Sequence, residues 1–346
     1  MNEKTGGSSV KAIYLDKVKT FSEKELPSPE CGEHQVVVQM KAVGVCGSDV
    51  HYWKNGRIGQ FVVNDPLILG HECSGVVTAV GSKVTKFSAG DRVVLEPGVP
   101  CMKCEHCLKG RYNLCQNIVF FATPPDDGVL VESIAYDENF VFKIPDEITD
   151  FSLATMAEPM SVGVFATERI APGLGERAIV FGAGIIGITC LLAARAAGCK
   201  HITVADIRND RLEWAAEMGA DAVINTRDEK LPENAYDFAY EATGADVCYG
   251  LAAKCIKPGG RIALIGMGPE LQQVPMVDYV CKEISVIPSF RYSNTYPTAL
   301  ELLVDNKEKL IQLITHRVAF SLNGVERAFR IASDDPSAVK VVVEFK

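Results

Sequence analysis

Gly182-Ala183-Gly184-Ile185-Ile186-Gly187 stands between an apolar, β-branched run, Arg177 to Phe181, and a stretch of small residues, Gly184 to Gly198. A strand that turns through G-x-G-x-x-G into a helix has few ways to continue. The helix must pack back on the strand and return the chain to a parallel neighbour. The following residues meet that demand. His201 to Ala205 predicts the next strand and Asp210 to Met218 the next helix. Ala222 to Ile224, Phe238 to Glu241 and Arg261 to Ile265 continue the strands, with a helix at Val247 to Ile256 closed by Lys257-Pro258-Gly259-Gly260 and a last strand at Ile284 to Pro288. This alternation predicts an α/β fold whose residues 161-291 form a doubly wound parallel sheet of the Rossmann type.

The same turn suggests a ligand. The first glycine makes the tight turn, the second lets the backbone approach a pyrophosphate, the third allows close packing, and the helix N-terminus faces the phosphates. Gly182, Gly184, Ile186 and Gly187 are therefore candidate dinucleotide contacts. Asp206 lies nineteen residues after Gly187, at the end of the next predicted strand. Its carboxylate there would accept from ribose hydroxyls and repel a 2'-phosphate, which favours NAD over NADP. Arg208 and Arg211 stand close enough in sequence to soften that preference. Arg211, Ile265, Gly266 and Arg291 complete the candidate cofactor contacts.

Two sets of metal-ligating residues precede this region. Cys101, Cys104, Cys107 and Cys115 are spaced C-x2-C-x2-C-x7-C, a quartet able to close around one Zn2+ with no position left for water. An iron-sulfur cluster is the other reading of such spacing, but Gln116 follows the last cysteine in place of the proline common in bacterial ferredoxins. Cys46, His71, Glu72 and Glu158 form a scattered set whose mixed donors can leave a position open for chemistry. Neighbouring side chains on a strand point to opposite faces, so His71 and Glu72 can share an ion only if the backbone turns there, as Gly70 permits. Asp49 is a candidate acceptor fixing the His71 ring. The remaining cysteines, Cys31, Cys73, Cys190, Cys199, Cys248, Cys255 and Cys281, read as small buried or half-buried residues without chemistry.

At 346 residues the chain exceeds what one core usually serves and should hold two domains. Its first 150 residues carry short β-branched runs, Val36 to Met40, Gly75 to Val80 and Asp91 to Leu95, near Gly or Pro, and almost no helical periodicity. A compact, barrel-like β domain is expected, rejoined after residue 291 by helices near Thr298 to Val304 and Leu322 to Ala332 and a strand at Val339 to Phe345. A formal charge of −9 argues against a nucleic-acid partner. The longest apolar stretch, Ile185 to Ala194, falls short of the roughly 20 residues that cross a bilayer, so no membrane partner is expected. The polar opening MNEKTGGSSV lacks a secretory core and reads as a frayed tail on a cytoplasmic protein. Twelve cysteines without an export signal fit reduced thiols and metal ligands.

Longer motifs add a resemblance. Gly44-Val45-Cys46-Gly47-Ser48-Asp49-Val50-His51-Tyr52, Gly56-Arg57-Ile58-Gly59, Leu69-Gly70-His71-Glu72, Ala122-Thr123-Pro124-Pro125, Met156-Ala157-Glu158-Pro159 and Phe290-Arg291-Tyr292-Ser293-Asn294-Thr295 are distributed along the chain. Together they are similar to the zinc-containing medium-chain dehydrogenases, closest to the sorbitol (polyol) dehydrogenase branch, over roughly residues 10 to 346. The resemblance implies a GroES-like β-barrel catalytic domain, 1-160 and 292-346, beside the Rossmann domain. It implies two Zn2+ per chain, one catalytic and one structural, and NAD-dependent oxidation of a secondary hydroxyl of a small-molecule polyol to a ketose. Cys46 and His71 would hold the catalytic ion, with Glu72 or Glu158 completing the set. Ser48 would take the hydroxyl proton and pass it through the cofactor ribose to His51 and water. Tyr52, Phe120, Glu158, Arg291 and Tyr292 would line the substrate pocket, and the assembly would be a homo-oligomer, a tetramer by resemblance. Ile185 stands where many relatives have proline, and the quartet leans towards a microbial-type polyol, arabinitol or xylitol enzyme. Rival readings are a related enzyme acting on threonine, a simple alcohol or a sugar phosphate, and a non-catalytic NAD-binding protein.

Overall fold

A computed structural model describes residues 8–346. The segment 1–7, most of the expected tail, lies outside the described residues. Ser9 and Val10, also assigned to that tail, instead open the strand Ser9–Lys17. The backbone divides into two compact units, one of residues Met1–Glu158 and Leu310–Lys346, the other of Pro159–Lys309. The second unit thus runs past the boundary read at residue 291 and includes the helix Tyr296–Asp305.

The first unit is built on antiparallel strands. Its larger sheet runs in the order Val141–Lys143, Arg92–Leu95, Glu72–Val80, Gln35–Gly44, Lys340–Glu344, Ile314–Ala319, with Ser133–Asp137 also paired to Gln35–Gly44. The last strand pair is parallel. A smaller sheet joins Ser9–Lys17 to Thr20–Pro27 and Leu67–Ile68. Apolar faces of these strands, with Ile13, Leu15, Val36, Val38, Met40, Leu69 and Leu95 among them, make one continuous core. Phe329, on the helix Leu322–Asp334, closes one side of it, its ring 5.0 Å from Phe21 and 6.1 Å from Trp53.

The β region is not free of helix. Gly47–Asn55 is helical, with Cys46 as the residue before its first turn and Gly56, at φ 69°, ending it. Its buried positions, Asp49, Tyr52 and Trp53, include a charged residue, so no apolar stripe announces the helix in the sequence. What starts it is a capping interaction: the Asp49 carboxylate accepts the Cys46 amide at 3.2 Å.

The second unit has a six-stranded, wholly parallel sheet in the order Ala222–Asn225, His201–Asp206, Arg177–Phe181, Tyr236–Glu241, Ile256–Leu264, Ser285–Pro288. Numbered along the chain this is 3-2-1-4-5-6, the doubly wound order with its switch point beside Arg177–Phe181. The helix Ile185–Ala196 follows that strand directly. One expectation fails. Lys257-Pro258-Gly259-Gly260 does not close the preceding helix as a loop; the strand begins at Ile256 and takes in all four residues. Gly259, at φ 74°, and a shift in the ladder between Tyr236 and Phe238 absorb the irregularity.

Phe329→Ala should cost about 3–5 kcal/mol of stability, the range for emptying a fully buried aromatic position. Urea unfolding followed by tryptophan fluorescence measures it, since Trp53 lies in the same cluster. A loss below about 1 kcal/mol would show that the helix does not close this core.

Candidate active site

Gly70 turns the chain into the strand Glu72–Val80 with φ 91°, and its own amide donates to Asp49 Oδ1 at 3.2 Å. A Cβ there would stand 2.8 Å from the Val43 side chain. His71 and Glu72 leave this turn on the same side, and their donor atoms and Cys46 Sγ lie within 4.8 Å of one another. His71 Nδ1 faces Asp49 Oδ1 at 3.3 Å, which leaves Nε2 for a cation. Asp49 therefore caps the helix, fastens the Gly70 turn and orients the ring.

Glu72 lies opposite Gly44 on the neighbouring strand, where a Cβ would come 2.1 Å from Glu72 Oε2 and displace the carboxylate. The carboxylate reaches the ammonium of Lys340 at 2.6 and 2.8 Å; the Lys340 side chain is 4% exposed, and Nζ also lies 3.5 Å from the Val45 carbonyl. Gly44 was noted in the sequence only as the first residue of a motif, and Lys340 was not singled out. Lys340 is 268 residues from its partner and carries no local signal. Burial opposes its charge, but Glu72 and then Cys46 outweigh burial and hold its pKa above the ordinary value. Glu158 stands outside the Cys46, His71 and Glu72 set; it is buried, and its charge is felt by Cys73, Glu96 and Lys340.

This donor set fits a divalent cation. A thiol, an imidazole and the Glu72 carboxylate converge, with Asp49 behind the imidazole and Lys340 against the carboxylate. Burial pushes the His71 ring towards neutrality, yet Asp49 and Cys46 raise its pKa well above the usual range. Surroundings that favour a proton so strongly also favour a metal ion. Cys73 beside it is different in kind. Burial pushes its thiol up to about 12, a packed neutral group and no ligand.

The quartet is a separate centre. The four sulfurs of Cys101, Cys104, Cys107 and Cys115 lie within 4.8 Å of one another, with Cys104 and Cys107 Sγ at 3.4 Å and no disulfide. Tetrahedral zinc with bonds of about 2.3 Å needs sulfurs roughly 3.8 Å apart, a spacing the cage reaches with small shifts of the sulfurs. Of the other cysteines, Cys73, Cys190, Cys199, Cys248 and Cys255 are buried and Cys31 half-buried, but Cys281 is exposed, contrary to the sequence reading.

Ser48 and His51 sit on the helix that starts at Cys46, Ser48 half-buried and His51 exposed. Tyr52 and Phe120 are buried, with the Phe120 ring 6.4 Å from that of His71. In the other unit Tyr292 is buried with its ring 5.8 Å from Tyr296, and the Arg291 guanidinium lies 4.9 Å from the Phe290 ring centre.

The glycine turn in the second unit behaves as its chemistry requires. Gly182 has φ 97°, and a Cβ on Gly187 would come 1.8 Å from the Gly182 carbonyl. A Cβ on Gly184 would meet nothing within 4 Å, which leaves room at the helix N-terminus for a phosphate. Asp206 Oδ2 accepts the Ala183 amide at 2.7 Å, and Oδ1 those of Ile207 and Arg208 at 2.7 and 3.0 Å. Arg208 is turned onto Asp210. Ile265 and Gly266 both donate to the Glu241 carbonyl at the end of the adjacent strand, and Ile186 and Arg211 are half-buried.

Known proteins share both units. Residues 32–146 match the family model of the alcohol dehydrogenase GroES-like domain, and residues 186–305 that of the zinc-binding dehydrogenases. The chain belongs to the zinc-containing medium-chain dehydrogenases, with a GroES-like β domain and a Rossmann sheet, and is an oxidoreductase. It is 41% identical to the sorbitol dehydrogenase of Gallus gallus, with 92% of each chain covered. It is 36% identical to the L-idonate 5-dehydrogenase of Vitis vinifera, covering 98% of this chain and 96% of that protein. The crystal structure of L-idonate 5-dehydrogenase from Escherichia coli superposes with a TM-score of 0.90 at 27% identity, over 98% of this chain and 99% of the other. Within the family its place is the sorbitol dehydrogenase branch.

Two glycine substitutions should separate folding from binding. Gly184→Ala should leave the melting temperature within about 2 °C and weaken NADH binding tenfold or more, read by nicotinamide fluorescence, because only the ligand meets the new methyl. Gly187→Ala should lower the melting temperature as well. Equal melting and equal affinity in both would remove the assignment of this turn.

Proposed function

We propose that the protein oxidises a polyol of the sorbitol, xylitol or arabinitol class at a secondary hydroxyl, giving a ketose and NADH. The observation that carries this reading is the convergence of Cys46, His71 and Glu72 in an anion-rich pocket that asks for a Lewis acid. The relatives named for sorbitol and L-idonate support the substrate class. Residues 1-160 and 292-346 would serve as the catalytic domain and 161-291 as the cofactor domain, subject to the unit boundaries above.

Zinc held by Cys46, His71 and Glu72 would acidify the substrate hydroxyl, and bound NAD+ would accept a hydride. The chain supplies the remaining parts. Lys340 holds the Glu72 carboxylate, and Asp49 holds the His71 ring, so both donors are set in direction before substrate arrives. Glu158 orients the group that occupies the open position. Ser48 accepts the hydroxyl proton and passes it through the cofactor ribose to the exposed His51 and water. The carbinol carbon loses its hydride as the carbon-oxygen double bond forms. By the resemblance, Tyr52 and Phe120 would contact the substrate, and Arg291 and Tyr292 are assigned the same role, with Arg291 as a donor to further hydroxyls. The quartet holds the second zinc, which has a structural role.

Asp206 supports NAD over NADP, because its carboxylate lies against the phosphate turn and Arg208 is committed to Asp210. The reading includes a cytoplasmic homo-oligomer. An exposed apolar surface on Met276, Val277, Val280 and Val286, beside the sheet edge Ser285–Pro288, supports self-association; the tetramer rests on resemblance alone.

Cys46→Ser should abolish NADH formation from sorbitol, xylitol and arabinitol and lower zinc from two equivalents towards one; turnover at the wild-type rate in that variant would refute the mechanism. A panel adding threonine, a simple alcohol and a sugar phosphate tests the substrate class, which fails if one of these is used in preference to every polyol. Asp206→Ala should raise the NADP to NAD ratio of kcat/KM at least tenfold, the size of one charged ribose contact, and an unchanged ratio removes that residue's role.

A further inference from the structure

Glu241 ends the strand Tyr236–Glu241, beside Phe181 on one neighbouring strand and Leu264 on the other. It is fully buried, and its carboxyl group turns back on the residues that follow it. Oε1 accepts from the Thr243 amide at 2.8 Å, from the Gly244 amide at 2.9 Å and from the Thr243 hydroxyl, while Oε2 accepts from the Gly244 amide at 3.1 Å. The Glu241 backbone carbonyl takes the amides of Ile265 and Gly266 at 2.9 and 3.0 Å. One residue thus fastens two segments, 243–245 and 265–266, that leave adjacent strands.

Burying a carboxyl group costs free energy, which backbone and hydroxyl donors offset only if they are brought close around it. Here they are. Gly244 has φ 70°, and a Cβ on Gly266 would stand 2.2 Å from the Gly244 nitrogen and 2.8 Å from Glu241 Oε2. A Cβ on Gly268 would stand 1.9 Å from the Gly244 carbonyl oxygen, to which Gln272 Nε2 donates at 3.0 Å. The Thr243 hydroxyl in turn accepts the Ala245 amide at 2.9 Å, just before the helix Asp246–Cys255 begins. On its other side this turn lies against the phosphate turn, because a Cβ on Gly182 would come 2.8 Å from the Thr243 methyl carbon. In a sheet of this strand order a dinucleotide lies across the carboxyl ends of the strands, one mononucleotide on each side of the switch point. Asp206, at the end of the second strand, marks the adenosine side. Segments 243–245 and 265–268 follow the fourth and fifth strands, on the side that the nicotinamide half takes.

We propose that Glu241 is a positioning residue for the nicotinamide half of the cofactor. It acts through the turn Thr243-Gly244-Ala245, which it holds against residues 265–268, so that this wall of the cleft is set before the cofactor arrives and binding does not have to order it. The proposal rests on the reading of the glycine turn as a nicotinamide-dinucleotide site.

The test uses the full-length protein with NADH and ADP as separate probes, since ADP carries the adenosine and two phosphates but no nicotinamide. Glu241→Ala leaves two buried amides without an acceptor; it should weaken NADH binding about tenfold or more, read by nicotinamide fluorescence, and keep ADP binding, read by calorimetry, within about twofold. Thr243→Val should weaken NADH binding about fivefold, the scale of one lost hydrogen bond, with ADP binding again unchanged. Thr243→Ser keeps the hydroxyl and should match wild type with both probes. The proposal is overturned by wild-type NADH affinity in E241A or T243V, or by ADP affinity falling as far as NADH affinity, which would make Glu241 a support of the whole cleft. If E241A does not fold, T243V and T243S decide the matter, and equal NADH affinities in those two overturn it. Should the wild-type protein bind neither probe, the cofactor reading itself fails; should it bind both and E241A bind both equally well, only the role of Glu241 fails.

Discussion

Buried negative charge at one end of the strand Glu72–Val80 is the constraint around which the first unit is arranged. The carboxylates of Asp49, Glu72 and Glu158 are buried there, with the Lys340 ammonium and the His71 ring set against them. Two like charges about 4 Å apart repel by on the order of 4 kcal/mol at an effective dielectric near 20, so such a group holds together only if each charge has a fixed partner. Each local irregularity of the backbone supplies one. The Gly70 turn delivers an amide to Asp49, the start of the helix at Cys46 delivers another, and Gly44 leaves space for the Glu72 carboxylate to lie against Lys340.

Much of this was legible in the sequence because it is written in short-range chemistry. The glycine turn announces itself through three residues with three distinct steric duties, and the observed φ of Gly182 and the closeness of Gly187 to its carbonyl are those duties in atoms. Cysteine spacing carried the quartet in the same way, since three ligands with two residues between each and a fourth eight positions on lie on one short loop. The alternation of strand and helix predicted a parallel sheet with crossover helices, while the order of its strands came from the structure.

What was not legible depends on residues distant in sequence. Lys340 belongs to a strand whose neighbours in sequence are valines, and nothing near it hints at a carboxylate on another strand. Glu96 likewise reads as an ordinary acid before a proline until the ladder to Glu72–Val80 brings it to the end of the sheet where Glu72 lies. The helix Gly47–Asn55 escaped because its buried face includes Asp49, so that hydrophobic periodicity, the main signal for a helix, was broken by the residue that starts it. Lys257-Pro258-Gly259-Gly260 was read as a loop because proline and glycine usually break strands; here a ladder shift absorbs them.

The position of Lys340 also accounts for the return of the chain to the first unit. The strand Lys340–Glu344 lies between Gln35–Gly44 and Ile314–Ala319, and its first residue supplies the cation for Glu72. Removing that strand would expose an edge of the sheet and also leave Glu72 as a buried anion without its ammonium, which costs more than the lost backbone pairing. The ion pair thus ties the last segment to the Cys46, His71 and Glu72 cluster, and the lysine, held by one acid and close to a backbone carbonyl, fixes the direction of a carboxylate contributed 268 residues earlier. A neutral residue of equal size would fill the same space, but it would free the Glu72 carboxylate to turn. Charge, more than volume, is what this position has to provide.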